Sequence, residues 1–265
     1  VSFASLLRRR GVVLTATAAL VAALLAVVFL APLPFTIMTP GITADTLGSF
    51  NGVQVVTISG HAVRRTSGEL RMTTIAATAP QDSVRLVDAL DAWPRADEAV
   101  VPREAVYGSG QSVAQIEQQT TQQMQSSQDA ATAAALSYLH LSAKQVKVTL
   151  RLADVGGPSA GLMFTLAIID KLDGNGSGGD LTGGKVIAGT GEITATGTVL
   201  PVGGVALKTK AAARDGAGVF LVPRSECDKG RAGLPAGLRL VPVDTLDQAV
   251  RALAALQGRG TVPSC

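Results

Sequence analysis

The sequence predicts an α+β fold preceded by one membrane-spanning helix. Three observations carry this. An uncharged, mostly apolar run, Gly11 to Ala31, lies near the N-terminus. Beyond it, short alternating stretches mix with helical stretches without strict strand–helix–strand repetition. An alternating run, Val146 to Leu152, leads into a helical run, Ala160 to Leu172, through a glycine-rich corner that contains a serine, Ser159.

The composition of the 265 residues narrows the function classes. Hydrophobic residues make up 47% but aromatics only 3%, so aliphatic side chains must fill the core. The net charge of +3 is modest, and no basic stripe is interleaved with aromatics, so no nucleic-acid partner is expected. The two histidines, His61 and His140, and the two cysteines are too scattered for a zinc pattern; a His61/His140 metal pair is the minor reading beside solvated or structural histidines. No metal or cofactor is expected.

The N-terminal run sets the expected location. At ~1.5 Å per residue it crosses a ~30 Å hydrocarbon layer. Arg8, Arg9 and Arg10 precede it, and the positive-inside rule then puts residues 1–10 in the cytoplasm and the rest outside. The rival reading is a cleaved signal peptide. Its apolar core is usually ~7–15 residues and ends in a small-x-small site, which Phe29-Leu30-Ala31-Pro32-Leu33-Pro34 does not offer. On this reading residues 11–31 span the membrane, 32–67 form a linker and first strands, and 257–265 form a tail. In an oxidising compartment Cys227 and Cys265 form a bridge to that tail; the other reading is two unrelated thiols.

The elements follow in order. Met38-Thr39-Pro40-Gly41 reads as a turn, Val53 to Ser59 as a strand, and Gly68 to Thr78 as another. Asp82 to Trp93 reads as a short amphipathic helix, and Pro94 to Gly110 as a loop. Ser112 is a candidate N-cap for a long helix reaching Leu139, with a thin apolar stripe of Val113, Ile116, Met124, Ala131 and Leu139. Val186 to Thr190 reads as a strand, followed by a hairpin at Thr196-Gly197-Thr198. A helix is expected from Lys208 through Ala213, strands at Gly218 to Val222 and Leu238 to Val243, and a last helix at Thr245 to Leu256. Two phosphate-loop look-alikes, Gly174 to Gly179 and Gly179 to Lys185, lie in the wrong context. One follows a helix; the other enters a strand and has Val186 where Ser or Thr should stand.

The chemistry concentrates at Gly156-Gly157-Pro158-Ser159. A serine hydroxyl becomes a nucleophile when a base takes its proton. No histidine lies in a nucleophile motif, but a lysine serves if burial keeps its amine neutral. Lys208 sits among Val205, Ala206, Leu207, Ala211 and Ala212, which permit such burial. Hydroxyl groups such as that of Thr190 are candidates to orient the amine without charging it. The N–H of Ser159 with that of Gly156 or Gly157 offers an oxyanion hole.

These motifs resemble the proteolytic domain of the Lon proteases, the S16 family. The resemblance rests on Gly157-Pro158-Ser159-Ala160-Gly161, Thr190-Gly191-Glu192-Ile193-Thr194 and Val199-Leu200-Pro201-Val202-Gly203-Gly204 with Lys208 four residues on. It covers residues 68–256 and implies the ribosomal protein S5 domain 2-like fold. It also implies a serine-type endopeptidase with Ser159 as nucleophile and Lys208, rather than Lys210, as general base. Thr190 would lie near the amine. A polypeptide substrate and a homo-oligomer, a hexameric ring, are further implications. Val155 to Phe164 and Val100 to Tyr107 are most similar to bacterial membrane-anchored Lon-like proteins that carry a PDZ domain. Here the expected PDZ position holds only His140 to Gln145. No ATPase domain is expected, so the implied substrates are exposed or unfolded segments. Lon often has an acid three residues before the serine; this chain has Gly156, with Asp154 nearby. Two rivals share the fold: a non-catalytic scaffold binding an envelope partner, and a sugar- or mevalonate-kinase-like phosphotransferase.

Overall fold

The computed structural model describes residues 3–152 and 155–265, with only the backbone of residues 3–11. The expectations for Arg8, Arg9, Arg10 and Asp154 fall outside the described side chains. In chain order the elements are α1 (Phe3–Leu30), β1 (Phe35–Asp45), β2 (Ser49–Phe50), β3 (Val53–Gln54), β4 (Val56–Ser59) and β5 (Glu69–Ala77). Then come α2 (Leu86–Ala92), β6 (Ala99–Pro102), α3 (Glu104–Tyr107), α4 (Val113–Tyr138), β7 (Lys147–Leu150) and α5 (Gly161–Leu172). The last part holds β8 (Val186–Gly189), β9 (Glu192–Ile193), β10 (Val199–Leu200), α6 (Val205–Arg214), β11 (Val219–Pro223), α7 (Cys227–Arg231), β12 (Arg239–Val243) and α8 (Leu246–Ala255). The chain divides into two compact units: one runs up to Met38 and includes Ala77–Gly110, the other is Thr39–Ala76 with Gln111–Cys265.

In the first unit, Val12–Leu30 is a 19-residue helical stretch of mean hydropathy 2.7 with none of it buried in protein. It is long and apolar enough to cross a membrane. Phe35–Met38 of β1 pairs antiparallel with Ala99–Pro102.

The second unit is built on the strand order β12-β11-β8-β5-β1. Strands β5, β8, β11 and β12 are mutually parallel, so each link between them is a crossover. Helix α6 supplies the crossover between β8 and β11. The core sits under α5, all twelve residues of which are buried. Fully burying each Leu, Ile, Phe or Met side chain contributes about 1.5–3 kcal/mol, so α5 is the main hydrophobic anchor of the unit. It packs against α4, β4, β8, β9 and α8. Helix α4 is N-capped by Ser112, as its sequence suggests. Its buried stripe is Met124, Ser127, Ala131, Ala134, Ala135 and Leu136; small residues there let α5 approach closely. Val113, at the start of the expected stripe, is 36% exposed.

The structure corrects several sequence expectations. Met38–Gly41 is not a turn but lies inside β1. The register with β6 ends at Met38, so the missing N–H of Pro40 breaks no pairing there. A Cβ at Gly41 would fall 2.8 Å from the backbone of Ile75, so glycine serves close strand approach. Residues 94–110 are not wholly loop: β6 and α3 lie within them, formed through pairing with Phe35–Met38 that local sequence does not reveal. Helix α6 begins at Val205 rather than Lys208, because Gly204 takes a left-handed conformation and caps it. The strand expected over Val53 to Ser59 is split into β3 and β4 at Val55.

Candidate active site

The serine corner is seated by three elements. Ser127 of α4 donates from Oγ to the Pro158 carbonyl at 2.9 Å. The turn after β8 is joined to the start of α5: the Gly191 N–H donates to the Ser159 carbonyl (2.9 Å), and the Leu162 N–H to the Gly191 carbonyl (3.0 Å). Gly191 allows this contact, since a Cβ there would fall 2.9 Å from Val199 Cγ1 and 3.4 Å from Leu162. Gly189 is equally constrained by Met163 and Leu221. Ser159 itself is partly exposed.

Thr190 is fully buried and held from the sheet, its N–H donating to the Leu221 carbonyl at 3.0 Å. Its hydroxyl links the two candidate residues. Lys208 Nζ donates to Thr190 Oγ1 at 3.0 Å, and Thr190 Oγ1 donates to the Ser159 carbonyl at 3.2 Å. The amine therefore lies within about 6 Å of the Ser159 backbone oxygen, two hydrogen bonds away. Lys208 is 3% exposed, whereas Lys210 on the same helix is half-buried. Burial, the largest cause, brings the Lys208 amine down from 10.5 to about 8, with the charge of Glu226 acting in the opposite direction. An amine in that range is substantially neutral in mildly alkaline solution, as a base must be.

Gly156 and Gly157 lie against α4. A Cβ on Gly156 would collide with Thr120 Cγ2. Gly157 has φ +88, and its N–H donates to the Thr120 carbonyl at 3.4 Å. Use of that N–H for an oxyanion requires this contact to open.

Glu226 is the site residue that sequence reasoning missed. It is 5% exposed, just before α7, and α7 packs on α6. A Cβ on Gly230 would stand 3.5 Å from Val205 Cγ1, at ordinary contact distance; Val205 and Lys208 share one face of α6. The carboxylate also meets Lys229 at 3.0 Å. The signal available was a glutamate beside Cys227, at the end of an apolar strand. Cys227 and Cys265 do form a disulfide. His61 and His140 instead line one open pocket of about 520 Å³ with Tyr138, Leu172 and Asp173. It lies at the far end of α5 from Ser159, about 18 Å along the helix axis.

The family model for the Lon protease (S16) C-terminal proteolytic domain matches residues 57–255. The chain belongs to the Lon protease (S16) family. Similar proteins include the Lon protease of Chloroflexus aggregans, 39% identical over 98 residues, which are 36% of this chain and 11% of that protein. The Lon protease of Campylobacter concisus is 38% identical over 102 residues, 36% of this chain and 12% of that protein. That of Azospirillum brasilense is 37% identical over 99 residues, with shares of 36% and 11%. The chain thus spans only about a ninth of the length of these Lon proteases. The Lon proteolytic fold, mixed α and β, carries the candidate Ser159, Thr190 and Lys208.

Proposed function

We propose that this Lon-family chain is a membrane-anchored serine endopeptidase that cuts exposed or unfolded polypeptide segments with a Ser159–Lys208 dyad. The observation that carries the reading is the buried Lys208 amine, joined through the Thr190 hydroxyl to the backbone of Ser159. In this reading Ser159 Oγ attacks a peptide carbonyl carbon while its proton passes to the neutral Lys208 Nζ. The C–N bond breaks, the leaving amine takes that proton, and an ester to Ser159 remains. Lys208 then takes a proton from water, whose oxygen attacks the ester; the proton returns to Ser159 Oγ and the acid product leaves. Thr190 holds the amine without charging it, so the base stays competent. The Ser159 N–H and one of the Gly156 and Gly157 N–H groups stabilise the oxyanion. Removal of one such donor costs about 3 kcal/mol in comparable sites.

The anchor is the Val12–Leu30 stretch, and the proteolytic unit faces the extracytoplasmic side. The Cys227–Cys265 disulfide supports an oxidising compartment. The unit assembles as a homo-oligomeric ring. A serine-directed acylating probe tests the dyad. It should label wild type and leave Ser159→Ala and Lys208→Met unlabelled; equal labelling of all three rejects the reading.

A further inference from the structure

In the first unit, α2 turns its apolar face outward. Val87, Leu90 and Trp93 are 56%, 60% and 78% exposed, and their i, i+3, i+6 spacing puts them on one side of the helix. Ala89 and Ala92 on the opposite side are buried. The helix is therefore amphipathic, and its larger apolar residues meet no protein core.

The position of α2 relative to the apolar span is fixed by the backbone. The Leu33 N–H donates to the Val84 carbonyl at 2.8 Å. Leu33 comes three residues after Leu30, the end of α1, so even fully extended chain separates them by only about 10 Å. Helix α2 starts two residues after Val84 and packs against α1. With a ~30 Å hydrocarbon core inside a ~40–45 Å bilayer, the headgroup zone is roughly 5–8 Å deep on each side. A helix tied this close to the end of a span lies at that zone. Tryptophan is enriched there, its ring apolar on one side and able to hydrogen-bond at its edge.

We propose that Val87, Leu90 and Trp93 form an interfacial foot that dips into the lipid surface beside the span. The proposal rests on the membrane-anchor reading of Val12–Leu30. The occupant is a phospholipid surface, because α2 packs against α1, whose last residues, Phe29 and Leu30, are themselves exposed apolar side chains at the end of the proposed span. A foot of this kind would limit tilting of the chain segment that leaves the bilayer.

Trp93 is the chain's one tryptophan, so its fluorescence reports this face alone. The full chain is reconstituted in phosphatidylcholine vesicles with and without lipids brominated along the acyl chain. Trp93 emission should be blue-shifted, quenched at least two-fold by brominated lipid, and shielded from acrylamide. Leu90→Gln should weaken the bromolipid quenching while leaving the chain in the membrane. Emission as in water, quenched by acrylamide and unaffected by bromolipid, overturns the foot. Shielding from acrylamide without bromolipid quenching also overturns it and assigns the face to a contact between copies. Resistance of the vesicle-bound chain to carbonate extraction is measured in parallel. If carbonate releases the chain, the anchor reading fails; retention with a water-exposed Trp93 refutes the foot alone.

Discussion

Lys208 and Glu226 face one another's elements with opposite electrostatic consequences. Burial favours the uncharged amine and so supports a base; the Glu226 carboxylate favours the ammonium and opposes it. Lys229 draws on the same carboxylate from the surface. The remaining charged groups of this turn are occupied elsewhere: Arg224 pairs with Asp244 at 2.7 Å and Arg231 with Asp228 at 3.3 Å. Thr190 presents only a hydroxyl. Replacing Glu226 by Gln removes the negative charge at nearly constant shape. The ammonium then loses stabilisation, the amine deprotonates at lower pH, and the acid limb of peptide hydrolysis should move down by about half to one pH unit. A pH–rate profile of Glu226→Gln against wild type checks this, and an unmoved or raised limb contradicts it. Ser159, Thr190 and Lys208 could be picked out as candidates because each lies in a short motif that resembles the Lon proteolytic domain. Glu226 could not, since its role comes from tertiary packing of α7 on α6.

At the scale of elements, the site depends on where α6 begins. Gly204 has φ +70 and ψ +25, a conformation that costs a residue with a Cβ about 1–2 kcal/mol. A Cβ would also fall 2.6 Å from Ile75 Cγ2. Gly204→Ala should therefore lower stability by about 1–3 kcal/mol, seen as a reduced thermal midpoint for the full chain in detergent micelles. An unchanged midpoint would show that the cap does not constrain α6. The sequence marked Gly203-Gly204 as a close-approach segment but placed the helix start later, at Lys208. Periodicity could not distinguish a cap from a loop there, because Val205 to Leu207 are apolar in either case. The strand β1 was hidden for a related reason: Pro40-Gly41 carries a turn signal, and only the backbone of Ile75 nearby reveals its other use.

For the molecule as a whole, the long periodic pieces were legible: the apolar N-terminal run, α4 with its Ser112 cap, and α5 after the serine corner. Their signals are local, and tertiary contacts reinforce them. The short pieces, β6, α3 and α7, were not, because each is held by its neighbours rather than by its own pattern. The disulfide could be stated only as one of two readings, since sequence gives two cysteines but not their separation; the fold brings their Cα atoms to 5.5 Å. The proposed chemistry converges on one amine, withdrawn from solvent by the packing of α6 and sharing the Thr190 hydroxyl with Ser159. The most direct test is the single-turnover acylation rate of the wild-type full chain between pH 6 and 10. Because only the neutral amine accepts the proton, the rate should rise with pH along one titration centred near 8, the value to which burial brings Lys208. A rate independent of pH across that range, or the same titration persisting in Lys208→Met, would contradict the account.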